Sequence, residues 1–268
     1  GMVDAAGALE AAGVERLAVA HLAEGVRLRR SGVRCPIVVL CGILTREEAE
    51  AVVLHDLIPV LPEPALAGVL GDESRRRGKR TRVQLKIDTG MGRLGVPAAG
   101  TGPFVEEVLG QDGLAPEGIV SHLSSADEPG RGYTEGQIRA FREALVAARE
   151  KGMEVGASSL ANSAGTLGYP EAHFGMIRPG ILLYGGSPSP ELRPSIPLEP
   201  AMTLKAKVIQ VRDFPEGAAV SYGRTYTTAS PERIAVISAG YSDGLPRALS
   251  NRGQVLIRGE RAPIRGRV

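Results

Sequence analysis

Lys86 and Arg93 stand seven residues apart in KIDTGMGRLG, at the end of an apolar strand-like run and across a turn that carries two glycines, with a third just beyond. Glycine supplies positive φ in a tight turn, so the plainest reading of this stretch is a turn and nothing more. Two like charges held so close call for a further reason. The pattern then repeats: polar groups follow later apolar runs in SHLSSADE, with His122 and Asp127, in ANSAG, with Asn162 and Ser163, and in RPGILLYGGSP, with Arg178, Gly180 and Ile181. GYSDG adds Tyr241, and APIRGRV adds Arg267. Each has a plain structural alternative: a core histidine, a strand-capping arginine, a helix-capping serine, a tyrosine anchoring a turn. Accumulation at the same end of successive strands favours a site.

The elements needed to place these residues are visible. Short β-branched runs alternate with helical stretches from RLAVA onward, which argues for an α/β fold of parallel strands joined by crossover helices. Thr45 with Glu48, and Thr134 with Gln137, match the capping box that marks a helix start. Seven strand candidates precede Gly185, the last two in EVGASSL and MIRPGILLYG. A closed TIM-type (β/α)8 barrel needs eight, so the expectation is a barrel lacking its first strand, that strand lying before residue 1. An open doubly wound sheet would tolerate seven, but no GxGxxG opens the chain.

Residues 1–186 are thus read as an incomplete barrel domain, and 187–201, rich in proline, as a linker. Residues 202–268, with alternating runs and glycine turns but no amphipathic helix, read as an incomplete, mostly antiparallel β domain.

The formal charge of +2 supports neither a nucleic-acid nor a membrane partner, and the run Arg75, Arg76, Arg77, Lys79, Arg80 reads as a solvated helix end. Cys35 and Cys41 are too few for a disulfide framework or a zinc site, so two buried thiols in a reducing, cytoplasmic compartment and no metal are expected. The start lacks the pattern of a signal peptide, and no apolar run approaches a membrane span.

KIDTGMGRLG, SHLSSADE, ANSAG, RPGILLYG, VSYGRTY, GYSDG and APIRGRV together, in this order, resemble the alanine racemase family. The resemblance covers essentially the whole chain. It implies pyridoxal 5'-phosphate as cofactor, alanine as substrate, and D-alanine supply for peptidoglycan. It also implies a homodimer with shared active sites. Lys86 would carry a carbamate that turns its charge negative and holds Arg93 by charge-assisted hydrogen bonds, Arg93 facing the substrate carboxylate. Arg178 would hydrogen-bond the pyridine nitrogen. As a guanidinium that stays charged at neutral pH it withholds a full proton, which leaves the ring a weaker electron sink. Ser163, Gly180 and Ile181, with Asn162 ranked lower, would bind the phosphate. Tyr241 would exchange a proton with one face of the substrate, supported by His122 and Arg178. Asp127 and Arg267 would line the entrance.

The family's second base is a lysine on the first barrel strand that also forms the Schiff base with the cofactor. The five lysines here, Lys79, Lys86, Lys151, Lys205 and Lys207, include no counterpart, so this polypeptide is expected to be inactive although the full-length product would be a racemase. The alternatives are a non-catalytic pyridoxal-phosphate binding protein, a racemase of serine or of broader range, and a fold-related decarboxylase of basic amino acids. The decarboxylases present a carboxylate to the ring nitrogen, where RPG offers Arg178.

Overall fold

The computed structural model describes residues 1–192 and 194–268. They form two compact units, 1–201 and 202–268. In the first, strands β1 (Leu17–Val19), β2 (Ile37–Val39), β3 (Ile58–Leu61) and β4 (Thr81–Asp88) pair in parallel and in order. A short strand β5 (Val96–Pro97) folds back on the end of β4, whose length pairs with β6 (Leu114–Val120). The row continues as two single parallel bridges, Val120 to Ser159 and Ser159 to Met176. All seven strand candidates therefore lie side by side, but the last two shrink to one bridge each. The ILLY of the last is not strand: Ile181–Tyr184 is a 3-10 turn.

The row curls into an incomplete barrel. In a flat sheet β1 and β6 would be four spacings, or about 19 Å, apart. Yet Arg16, one residue before β1, makes an ion pair with Glu117 of β6. Gln84 of β4 donates to the same carboxylate at 3.1 Å. The register of β6 against β4 slips at Glu117, a bulge that turns this side chain inward.

Helices α1 (Met2–Ala11), α2 (Leu22–Arg30), α3 (Arg46–Leu54), α4 (Ala65–Arg76), α5 (Thr101–Leu109) and α6 (Arg131–Glu150) occupy the connections. A one-turn-and-a-half helix α7 (Ser163–Gly168) follows the Ser159 bridge. Strict alternation on β4 explains where the layers meet. Val83, Leu85 and Ile87 join the main core with Val52, Leu70, Phe104 and Phe141, which leaves Gln84, Lys86 and Asp88 to the other face. Val38, Ile58, Val60 and Val120 form a smaller separate cluster.

Local chemistry agrees with the sequence in one cap and differs in another. Thr45 caps α3, accepting from the Glu48 N–H at 3.2 Å. Thr134 and Gln137 do not cap α6, which starts a turn earlier at Arg131; both are buried inside it. The basic run at the end of α4 is not merely solvated, since Arg76 and Arg77 converge on buried Glu73. Of the two cysteines, Cys41 is exposed and Cys35 half-buried, so neither is a buried thiol. The proline-rich segment packs on its own unit: the Ala201 N–H bonds the Tyr184 carbonyl, and a Cβ on Gly185 would lie 2.1 Å from the Glu199 oxygen.

The second unit consists of antiparallel pairs: β7 (Val208–Phe214) with β10 (Glu232–Ile237), β8 (Ala219–Val220) with β9 (Tyr226–Thr227), and β11 (Gln254–Ile257) with β12 (Glu260–Pro263). The last pair turns through Arg258 and Gly259, both at positive φ, the conformation of a two-residue hairpin loop. Among the described residues no helix is long and apolar enough to cross a membrane.

Candidate functional site

Because the strands of the first unit are parallel, the residues that follow them gather at one end, where barrels carry their chemistry. The β4 to β5 turn is built by Asp88, whose carboxylate accepts from the N–H groups of Gly90, Met91 and Gly92 at 2.8 to 3.2 Å. Burial raises the pKa of Asp88 and these donors lower it; the donors win. Gly95 has φ +104, and a Cβ there would stand 2.6 Å from the Lys86 carbonyl oxygen and 2.7 Å from its Cγ. The absence of bulk in the loop is thus a condition of its closure over Lys86.

Lys86 is 8% exposed. Burial, then the charges of Arg178 and Arg93, push its pKa from 10.5 down to about 7, with Asp88 opposing. A substantial fraction of the amine is therefore neutral at physiological pH. His122 follows β6. Burial first, then Arg178, Lys86 and Arg93, push it to about 4. The Arg178 guanidinium lies 3.4 Å from His122 Nδ1, and since arginine can only donate, that nitrogen accepts and the ring proton sits on Nε2.

Arg178 ties the last strands together. Its guanidinium donates to Ser159 Oγ and to the Ser121 carbonyl, while its backbone N–H donates to Ala161 O at 3.0 Å. Burial lowers its pKa to about 10, which leaves it charged at neutrality. Among the described residues neither Arg93 nor Arg178 enters an ion pair with a carboxylate. The corner is a cluster of positive groups, with Arg178 and Lys86 largely buried and Arg93 exposed, and is suited to an anion.

Beside it, Asn162 caps α7, accepting from the Gly165 N–H at 3.0 Å and donating to Leu123 O at 3.0 Å. The cap is Asn162 and not Ser163. The Ser163 hydroxyl instead accepts from the Gly180 N–H at 2.9 Å, which brings the starts of α7 and of the Ile181 turn together. A Cβ on Gly180 would meet nothing within 4 Å, so open space adjoins these donors.

The structure therefore brings together Lys86, Arg93, His122 and Arg178, and joins Asn162, Ser163, Gly180 and Ile181 through the Ser163 to Gly180 bond. Asp127 is exposed in the loop after β6. Tyr241 and Arg267 belong to the second unit, where both line an apolar cleft of about 670 Å3. Tyr241 opens a 3-10 turn after β10 and is 62% exposed. Ser121, Ser159, Tyr133 and Gln137 were not anticipated. The serines of SHLSS and ASSL were signalled only by their strand-end position. Among the described residues no group of three or more His, Cys, Asp or Glu could hold a metal ion.

Comparison with known proteins covers the whole chain. The family model for the alanine racemase N-terminal domain matches residues 1–188, and that for the C-terminal domain residues 201–268. An alanine racemase of Syntrophobacter fumaroxidans is 44% identical over 268 residues, 100% of this chain and 71% of that protein. The solved alanine racemase of Clostridium difficile 630 superposes with a TM-score of 0.93 at 32% identity, covering 100% of this chain and 70% of that one. That of Bartonella henselae, with covalently bound pyridoxal phosphate, gives 0.85 at 29% identity, over 100% and 72%.

Proposed function

The chain belongs to the alanine racemase family, and from that premise we propose that the residues above bind the cofactor and substrate of an enzyme interconverting L-alanine and D-alanine. The family depends on pyridoxal phosphate, and the charges and donors gathered at this corner fit its anionic groups. Two arginines without carboxylate partners suit anionic groups, and a hydroxyl, a helix start and the open space beside Gly180 suit a phosphate. When bound, pyridoxal phosphate supplies an electron sink that acidifies the substrate's Cα–H.

The chain's own residues do the rest. Arg178, held by Ser159 and Ser121, would face the ring nitrogen and keep its own proton. Lys86, uncharged in part at neutral pH, can add carbon dioxide as a carbamate and release a proton. The resulting anion would orient Arg93 toward the substrate carboxylate. Tyr241, offered by a second copy of the chain, would deliver and remove the proton on one face of the substrate, and His122, neutral with its proton on Nε2, would support that phenol. The exposure of Tyr241 suits a phenol offered to a second copy of the chain, which supports a homodimer with shared sites. Asp127, exposed in the loop after β6, and Arg267, in the second unit, are assigned to the substrate entrance on the family resemblance alone. We place the reaction in the cytoplasm, supplying D-alanine for peptidoglycan.

We assign the role of second base to no lysine of these 268 residues. Lys79 donates to Val53 O and Lys151 pairs with Glu106, while Lys205 and Lys207 lie exposed in the second unit. The 268 residues alone should therefore bind pyridoxal phosphate without a covalent bond and should not racemise alanine.

The observation that carries the reading is Arg178, charged, buried and, among the described residues, facing no carboxylate. The test is equilibrium dialysis against pyridoxal phosphate, followed by borohydride reduction and mass spectrometry. Saturable binding, weakened about tenfold or more in Arg178→Ala and leaving no pyridoxyl-lysine adduct, is expected. Equal affinity of the two proteins would defeat the assignment.

A further inference from the structure

The first two turns of α6 hold three loops of the site at once. Arg131 lies 4.2 Å over the Tyr169 ring, donates to Gly168 O and faces Glu171 at 3.5 Å, which fixes the end of α7. The Tyr133 hydroxyl donates to Gly90 O at 2.6 Å, in the turn that carries Arg93. Gln137 reaches the His122 loop with both ends of its amide. Its Nε2 donates to His122 O at 3.0 Å, and its Oε1 accepts from the Ser124 N–H at 3.0 Å and the Ser124 hydroxyl at 3.2 Å.

Tyr133 and Gln137 are four residues apart, hence on one helical face. The two loops meet on that face. Gly90, at φ +125, packs so tightly that a Cβ would lie 2.8 Å from the Tyr133 hydroxyl oxygen and 3.5 Å from Gln137 Cγ. Gln137 is buried, and its amide suits this place because it offers a donor and an acceptor side by side. A carboxylate would keep the acceptor for Ser124 but set an oxygen against the His122 carbonyl.

We propose that α6 is a bracket that sets Arg93 and His122 in register with Arg178, with Gln137 and Tyr133 as positioning residues; the proposal rests on the racemase reading above. Neither residue need touch substrate or cofactor. They act through the backbone of the two loops, where a misplacement of about 1 Å can cost a hundredfold in a reaction.

The experiment compares Gln137→Glu, Gln137→Ala and Tyr133→Phe with Ile138→Val, a buried change on the same helix off the bracket face. Three quantities are measured: the His122 titration by NMR, identified by its loss in His122→Asn; the dissociation constant of pyridoxal phosphate; and the urea unfolding midpoint. Both Gln137 variants should raise the His122 pKa by at least one from about 4, as its loop leaves the cluster of Arg178, Lys86 and Arg93. Cofactor binding should weaken about tenfold. Ile138→Val should lower the midpoint without moving either reading. If folded Gln137 variants leave the His122 titration and the dissociation constant where they were, the bracket is refuted. Should the Gln137 variants fail to fold, Tyr133→Phe, which keeps the ring, decides by the dissociation constant alone. Absence of cofactor binding in the unaltered chain would instead bring down the racemase reading, and the His122 titration would still judge the bracket.

Discussion

Replacing Lys86 with methionine should change how stability depends on pH more than it changes stability at any one pH. The unfolded lysine keeps its proton up to about 10.5, whereas the folded one releases it at about 7, driven by burial and by Arg178 and Arg93. Between these values the unfolded chain binds more protons, so the stability of the native protein rises with pH there. The slope from this one group approaches about 1.4 kcal/mol per pH unit, and the full excursion is on the order of 5 kcal/mol. Below pH 7 both states are protonated and the penalty is constant. Lys86→Met keeps the length of the side chain, removes the buried charge and should lose that slope. The assay is urea unfolding of both proteins from pH 6 to 10 in buffers purged of carbon dioxide, plotting the difference in unfolding free energy. The difference should be flat below pH 7 and climb in favour of the lysine protein above it. Repeating the pH 8 point in bicarbonate should stabilise only the lysine protein, because only it has a buried amine among these cations to convert into a carbamate. Parallel curves across the whole range would show that Lys86 is not held among those cations, and the argument would fail.

Two further outcomes follow from packing. Gly95→Ala must place a Cβ 2.6 Å from the Lys86 carbonyl at φ +104 and should destabilise the protein by about 2 kcal/mol or more, seen as an earlier denaturation midpoint with an unchanged m-value. Thr134→Val removes a fully buried hydroxyl that has no hydrogen-bond partner while nearly keeping the shape. It should be neutral or stabilising by up to about 1 kcal/mol, and a clear loss of stability in thermal unfolding would mean that the hydroxyl is satisfied after all.

The chain's local pattern determines a good deal by itself. The two-residue period of β4 sorts Val83, Leu85 and Ile87 from Gln84, Lys86 and Asp88, so the face that Lys86 occupies follows from sequence. The repetition of polar residues after apolar runs marks one end of a parallel sheet, because parallel strands all finish on the same side. Thr45 and Glu48 mark the start of α3 through side-chain bonds that span only three residues. Such signals are legible because each depends on near neighbours in the chain.

What only the tertiary structure decides involves partners far apart in sequence. Thr134 and Gln137 have the spacing of a cap, yet they lie inside α6, and Gln137 bonds instead to His122 and Ser124. The same spacing occurs wherever a helix turns, so the motif alone does not locate a terminus. Ser159 and the Ser121 carbonyl become the seat of Arg178 only once the last two strands come together, reduced to single bridges. The curl of the sheet is read from Arg16 meeting Glu117, 101 positions away. The low pKa of Lys86 arises likewise from solvent excluded by the packed sheet first and then from Arg178, 92 residues further on. Electrostatic energy and desolvation depend on distances through space, which a linear pattern of residues does not contain until the chain has folded.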